Sequence, residues 1–452
     1  MLYDIIIIGG GPGGYQAAIE AAAEGLTVAL IEKKHLGGVC LNEGCIPTKT
    51  LLYSSKLFYK AMEAQYYGIH IDNVRIELGQ VIERKNDIVC KLRKGLSTKL
   101  HNDLVDIFDE TGLIKTVKNE IQVVFDNNNC ICGKNLIIAS GSRAFVPNIK
   151  GISAALKEEF AIDSSKFLNN TVMYKKVVII GCGIIGIEFA SFLANIGIEA
   201  VLLDNKKEIL EEIDEDVRKV LIRSLIRKGV KFKLGVDITE IDAESRTVWV
   251  KGEQEEKISC DKVIICTGRI PNIDGFGVAE AGIAIKNGAI ITDDFGRTSV
   301  ENVYAIGDVN GRIMLAHTAY AEAKATIQYI QGKRQAVEYD LIPRVIYSHP
   351  EAAWVGMTEN KCRDEKLEYA VKACSMRYSG KFMVENEKEQ GICKLIWDKN
   401  DRKIIGGFLV GDGASEIIIT IENMIREKKT IDDVRQMIFP HPSIGEVIQE
   451  CV

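Results

Sequence analysis

The segment GGVCLNEGCIPTK, residues 37–49, sets two cysteines, Cys40 and Cys45, five positions apart. Two thiols this close suit dithiol–disulfide chemistry, yet a regular helix does not bring them together. An i,i+5 pair has Cα atoms roughly 8–9 Å apart on different helix faces, and a disulfide needs about 7 Å or less. If the two bond, the chain between them must bend, and a strained, accessible bridge cycles instead of stapling. Pro47 suits the first turn of a helix, and TKTLLYSSKLFYKAM after it has helical periodicity. Cys45 therefore falls at or just before a helix N-terminus, where the dipole favours thiolate. Cys40 falls in the Gly-rich, more accessible stretch ahead of it. This asymmetry gives Cys40 the exchange with an outside substrate and Cys45 the side facing an internal electron acceptor.

The elements that would position such a pair are written twice. YDIIIIGGGPGGYQAAIEAAAEGLTVALIEK (3–33) and KKVVIIGCGIIGIEFASFLANIGIEAVLLDN (175–205) each read as buried strand, GxGxxG, helix and second strand ending in an acid. The glycines are Gly9, Gly11 and Gly14 in the first copy and Gly181, Gly183 and Gly186 in the second. Glu32 follows Gly14, and Asp204 follows Gly186, by the same 18 positions. The first glycine makes the turn, the second lets backbone approach a pyrophosphate, and the third lets helix pack on strand. The helix N-terminus receives the anion and the acid receives the ribose. Two copies in register imply two bound dinucleotides.

Asp204 accepts from a free 2′-hydroxyl and repels a 2′-phosphate, which favours NAD over NADP, although Lys206 and Lys207 follow it closely. The first copy leads into the cysteine segment. An electron pair passing between nicotinamide and a disulfide needs an intermediary suited to both, which is flavin chemistry. FAD is assigned to the first copy and NAD to the second. Lys49, one turn into the helix, sets a cation near the flavin, with Glu188 as its expected partner.

The bulk numbers fit this reading. At 452 residues the chain is about three domains long. Fifty-seven basic against 63 acidic residues offer no field for nucleic acid. MLYDIIIIGGG has no basic n-region, so no signal peptide is read, and no apolar run reaches the ~20 residues of a membrane span. Twelve cysteines in so long a chain, several of them single in apolar strands (Cys182, Cys266, Cys393), fit buried thiols in a reducing cytosol. Cys130 and Cys132 lack zinc spacing, so no metal is expected. His35, His70 and His101 read as surface positions.

GGVCLNEGCIPTK resembles the active-site signature of the pyridine nucleotide–disulfide oxidoreductases, class I, and within them the dihydrolipoamide dehydrogenases. NVYAIGDVNGRIMLAHTAYAEA (302–323) resembles the second FAD motif, VIYSHPEAAWVGMTE (345–359) the opening of the dimerisation domain, and HPSIGE (441–446) the terminal His–Glu motif. The resemblance implies that Asp308 takes the ribityl chain and that NAD and the Cys40–Cys45 disulfide lie on opposite flavin faces. It also implies that dihydrolipoamide attacks through Cys40, that Cys45 forms a thiolate–flavin charge-transfer state, and that His441, oriented by Glu446, is the base. His441 is expected from the partner subunit of a homodimer. Departures from the family pattern are Val39, Glu43, Thr318 and Phe439. Cys451 is a candidate second thiol at the substrate mouth, although mercuric reductases carry a vicinal pair there.

The expected fold class is α/β, with two Rossmann-like dinucleotide-binding domains and a C-terminal α+β dimerisation domain. Expected boundaries are 1–145 for FAD, 146–270 for NAD, 271–340 completing the FAD domain, and 341–452 for the interface. IIASGSRAFVPNI and IICTGRIPNI echo each other where the chain crosses between domains, and Ser140, Gly141 and Gly268 within them are assigned to cofactor binding. The expected activity is NAD-dependent oxidation of dihydrolipoamide carried on another protein, that of a 2-oxoacid or acetoin dehydrogenase complex or the glycine cleavage system. The alternatives are an NAD(P)H-dependent reductase of another disulfide or of Hg(II), and a flavoprotein electron relay with an idle thiol pair.

Overall fold

The computed structural model describes residues 2–117 and 120–452. These divide into two compact units. The first holds everything up to Thr50 together with Gly79–Phe145 and Gly268–Glu338, and the second holds Leu51–Leu78, Val146–Thr267 and Tyr339–Val452.

In the first unit the apolar run of the N-terminus becomes the strand Leu2–Ile8, whose Ile5, Ile6 and Ile7 are fully buried. A strand covered on both faces needs such a run, and its neighbours Val28–Ile31 and Cys130–Ile138 both lie parallel to it. Asp106–Phe108 and Val303–Ala305 extend the parallel part, and Ile121–Phe125 and Gly112–Thr116 continue it antiparallel. The helix Pro12–Ala23 buries Ala17, Ala18 and Ala21 and packs against the helix Ala316–Ile330. The two echoing stretches pair with each other: Ser142–Ala144 and Arg269–Pro271 form an antiparallel ribbon, and the Phe145 N–H donates to the Gly268 carbonyl at 3.0 Å.

The second unit contains a five-stranded parallel sheet in the order Lys231–Leu234, Glu199–Asp204, Lys176–Ile180, Lys262–Ile265, Ala161–Asp163. The helix Ile184–Asn195 follows Lys176–Ile180. An antiparallel three-stranded ribbon spans Asp237–Ser259. The C-terminal part is an antiparallel five-stranded sheet, Arg344–Ile346, Ala352–Gly356, Ile404–Val410, Ile392–Asp398, Tyr369–Ser375, covered by the helix Ala414–Arg426. Two nucleotide-type sheets plus an α+β part give the fold class expected from the sequence. No described helix is long and apolar enough to cross a membrane.

Buried charge in this unit is paired. Lys394, 1% exposed, sits 3.1 Å from Asp214, 2.8 Å from Asp216 and 2.5 Å from Glu359. Lys228 bridges Glu389 at 2.7 Å and His349 Nδ1 at 3.1 Å, and burial holds the His349 imidazole well down, to about 3. His35, His70 and His101 are exposed, as expected, and Cys182, Cys266 and Cys393 are buried.

Candidate active site

The two nucleotide motifs coincide in atomic detail. Gly9 and Gly181 have φ of +104° and +105°, and a Cβ on either would stand 2.3 Å from a carbonyl oxygen of the neighbouring strand. Gly11 and Gly183 are the extended N-caps of their helices, and nothing lies within 4 Å of a Cβ built on Gly183. A Cβ on Gly14 would meet the Gly9 oxygen at 1.8 Å, and one on Gly186 the Gly181 oxygen at 2.1 Å. Only glycine permits helix and turn this close. Glu32 accepts the Gly10 N–H at 2.7 Å and the Lys34 N–H at 2.8 Å. Asp204 accepts the Cys182 N–H at 2.8 Å and the Lys206 N–H at 3.0 Å. Each acid is clamped by the turn beside it. Open backbone at the second glycine, a helix N-terminus and an anchored carboxylate together fit a dinucleotide.

The chain does bend between the cysteines. Cys40 lies within a short helix, Gly38–Glu43, rather than in an open Gly-rich stretch, and Cys45 begins the helix Cys45–Met62. Gly44 breaks the path with φ −147° and ψ −107°, and a Cβ there would stand 3.0 Å from the Val39 oxygen. The break turns an i,i+5 pair into neighbours, and Cys40 hydrogen-bonds Cys45. That hydrogen bond, then burial and negative charge on Cys45, pushes the Cys40 thiol far above its ordinary range. The Lys49 cation acts to lower it and the Asp308 carboxylate to raise it. Cys40 thus keeps its proton. Glu43, one of the departures from the family pattern, is helical and paired with Lys34 at 2.8 Å.

Asp308 sits in the turn Gly307–Asn310 and accepts from Ser142 Oγ at 2.5 Å. The sequence reading missed what holds this turn: Glu322, 3% exposed, accepts from the Gly307 N–H at 2.6 Å and from Asn310 Nδ2 at 2.9 Å. Ser140 Oγ donates to the Asn272 carbonyl at 2.7 Å, and the Asn272 amide returns a bond to the Ser140 carbonyl at 3.0 Å. Gly141 and Gly268 both have positive φ.

Also missed was a tyrosine pair. The Tyr15 and Tyr320 hydroxyls share a short hydrogen bond, and charge on Cys40 or Cys45 reaches both. Burial is the first cause that raises each phenol. Their only sequence signal was position: Tyr15 directly follows Gly14, and Tyr320 lies in the second FAD-like motif.

Within the second unit His441 Nδ1 is 2.6 Å from Glu446 Oε1, and Glu446 Oε2 accepts the Ser443 N–H at 2.7 Å. The Ser443 N–H first, and His441 second, hold the Glu446 carboxyl below its ordinary value. Glu188, 2% exposed, accepts the Tyr347 N–H at 2.9 Å. Cys451 is fully buried and its sulfur donates to the Cys393 carbonyl, so it does not line a substrate mouth.

Residues 3–323 match the family model described as pyridine nucleotide-disulphide oxidoreductase, and residues 342–452 match that family's dimerisation domain. The chain belongs to this family. It is an FAD-dependent oxidoreductase that uses NAD, and its dimerisation domain supports a homodimer. Dihydrolipoyl dehydrogenase of Mycoplasma genitalium is 33% identical over 100% of this chain and 98% of its own. Dihydrolipoyl dehydrogenase of Geobacillus stearothermophilus is 35% identical over 99% and 95%. Among solved structures, the HOCl-induced flavoprotein disulfide reductase RclA from Escherichia coli superimposes with a TM-score of 0.87 at 27% identity, covering 99% of each chain.

Proposed function

We propose that this oxidoreductase is a cytoplasmic dihydrolipoyl dehydrogenase, oxidising dihydrolipoamide carried on a separate protein and reducing NAD+. That protein belongs to a 2-oxoacid or acetoin dehydrogenase complex or to the glycine cleavage system. The observation that carries the reading is the hydrogen-bonded Cys40–Cys45 pair, with Lys49 and Asp308 acting on the same thiol. The homologous dihydrolipoyl dehydrogenases, 33–35% identical over nearly the whole chain, support it.

In this reading residues 1–145, completed by 271–340, bind FAD, 146–270 bind NAD, and 341–452 form the subunit interface. Gly9, Gly11, Gly14, Glu32, Ser140, Gly141 and Asp308 hold FAD. Gly181, Gly183, Gly186, Asp204 and Gly268 hold NAD, and Lys49 with Glu188 places charge by the flavin. FAD, when bound, supplies a carrier that exchanges an electron pair with both dithiol and nicotinamide. His441 of the partner subunit, oriented by Glu446, takes a proton from a substrate thiol. The thiolate attacks Cys40 of the Cys40–Cys45 disulfide, and Cys45 leaves as thiolate. The second substrate sulfur then displaces Cys40, closing the substrate disulfide. The electron pair gained by the cysteines ends on NAD+, and one proton is released.

The likeness to RclA, a disulfide reductase, favours one rival, NAD(P)H-driven reduction of a different disulfide; reduction of Hg(II) is the other alternative. Steady-state rates with dihydrolipoamide, glutathione disulfide and Hg(II), each with NAD(H) and NADP(H), separate the two. Fast NAD+ reduction by dihydrolipoamide is expected. Turnover only with another acceptor sinks the proposal, as does a long-wavelength absorbance that persists in Cys45→Ser.

A further inference from the structure

Cys374, Cys393 and Cys451 come from three separate places in the chain, and their sulfur atoms all lie within 4.8 Å of one another. Cys374 and Cys393 face each other across the strands Tyr369–Ser375 and Ile392–Asp398. Cys451 arrives in the turn after the helix Val447–Glu450. Exposures are 7%, 0% and 0%, and the surroundings are apolar: Met376, Phe382, Leu395 and Ile448. Packing alone asks only that small residues fill the space. It does not ask three sulfurs on three elements to converge on one point.

We propose that these three thiols form a binding site for a thiophilic ion satisfied by three sulfur ligands, best matched by trivalent arsenic. At a sulfur–centre distance of about 2.3 Å, three sulfurs around a pyramidal trivalent arsenic stand about 3.5 Å apart. The present spread, within 4.8 Å, needs to close by at most about 1.3 Å to reach that.

Charge decides between ions. Net charge is costly in an apolar core. Three thiolates around a trivalent centre are neutral, around zinc they leave one uncompensated charge, and around monovalent copper two. Zinc also prefers a fourth ligand. Binding is a condensation with no redox change: three S–H bonds and three As–OH bonds break, three As–S bonds form and three waters leave.

The test uses FAD-loaded full-length protein as the Cys40→Ser/Cys45→Ser variant, so the active-site dithiol does not compete. After prolonged incubation with arsenite, we expect one arsenic per chain, three sulfurs at about 2.3 Å by X-ray absorption, and protection of Cys374, Cys393 and Cys451 from alkylation in a denaturing quench. Zinc should bind at least a hundredfold more weakly. Cys393→Ala should abolish binding while flavin content stays normal, and Cys451→Ala serves if that variant does not fold. Absence of bound arsenic, unchanged stoichiometry in the alanine variant, or tighter binding of zinc overturns the proposal.

Discussion

His441 Nδ1 lies 2.6 Å from Glu446 Oε1, and the second Glu446 oxygen is fixed by the Ser443 amide at 2.7 Å. The carboxylate therefore cannot swing away without giving up a backbone bond, and the ring it holds keeps one orientation. His441→Gln is expected to slow dihydrolipoamide oxidation ~10²–10⁴-fold, the usual worth of a positioned base. NADH oxidation by an artificial electron acceptor should continue. Equal loss of both activities would assign His441 a structural part only.

The same carboxylate fixes a pH expectation. Its folded pKa is depressed, so its contribution is complete above the ordinary value of about 4.3 and fades as pH falls through the lower folded value. A pH–rate profile should show no Glu446-dependent inflection above about pH 5, and an inflection there that vanishes in Glu446→Gln would contradict this sign.

Gly14→Ala and Gly186→Ala place the same methyl into equivalent turns, 1.8 Å and 2.1 Å from a carbonyl oxygen. The first should yield protein depleted in flavin. The second should stay yellow but raise the KM for NAD+ by about tenfold or more, one step of about 1.4 kcal/mol. The reverse pattern would exchange the two cofactor assignments.

Asp204→Ala removes a charged acceptor, worth about 1.5–3 kcal/mol per bond. NAD+ affinity should fall about 10–100-fold and NADP+ affinity much less. Titration of nicotinamide binding on the oxidised flavoprotein decides this, and a uniform loss would show that Asp204 only props up its own turn.

Tyr15→Phe deletes one member of the hydroxyl pair beside the thiols. With one neutral hydrogen bond at stake, about 0.5–1.5 kcal/mol, reduction of the enzyme by dihydrolipoamide should change by up to about tenfold. Reduction by NADH should not change. Stopped-flow traces of the two half-reactions distinguish a role at the thiols from a general packing defect.

Lys394→Met leaves three carboxylates around an apolar side chain. Breaking a buried pair costs about 3–5 kcal/mol, read as a lowered denaturation midpoint. Burial works to lower the Lys394 pKa, but hydrogen bonds to Asp216 and Glu359 outweigh it and raise it. The network's support is therefore full below the ordinary lysine pKa of about 10.4 and is lost as pH rises through the higher folded value.

The parts legible in the sequence are those whose physics is local. Gly9, Gly14, Gly181 and Gly186 announce turns that no side chain tolerates, and Glu32 and Asp204 sit at the strand ends that geometry demands. The Cys40–Cys45 spacing required a bend, and Gly44 supplies it. Long-range partnerships stayed invisible. Nothing along the chain links Tyr15 to Tyr320, or Glu322 to the Gly307 turn, because those contacts appear only when the helix Ala316–Ile330 docks. Cys451 was misplaced for the same reason: its burial depends on strands far behind it in sequence.

The ribbon of Ser142–Ala144 with Arg269–Pro271 joins the two ends of one long excursion of the chain. Departing and returning chain run side by side there, with the Phe145 N–H bonded to the Gly268 carbonyl. To the host sheet, everything between those two residues is a detour that ends where it began. The second nucleotide motif lies wholly within that detour, so the strands and turns of the first are built without it.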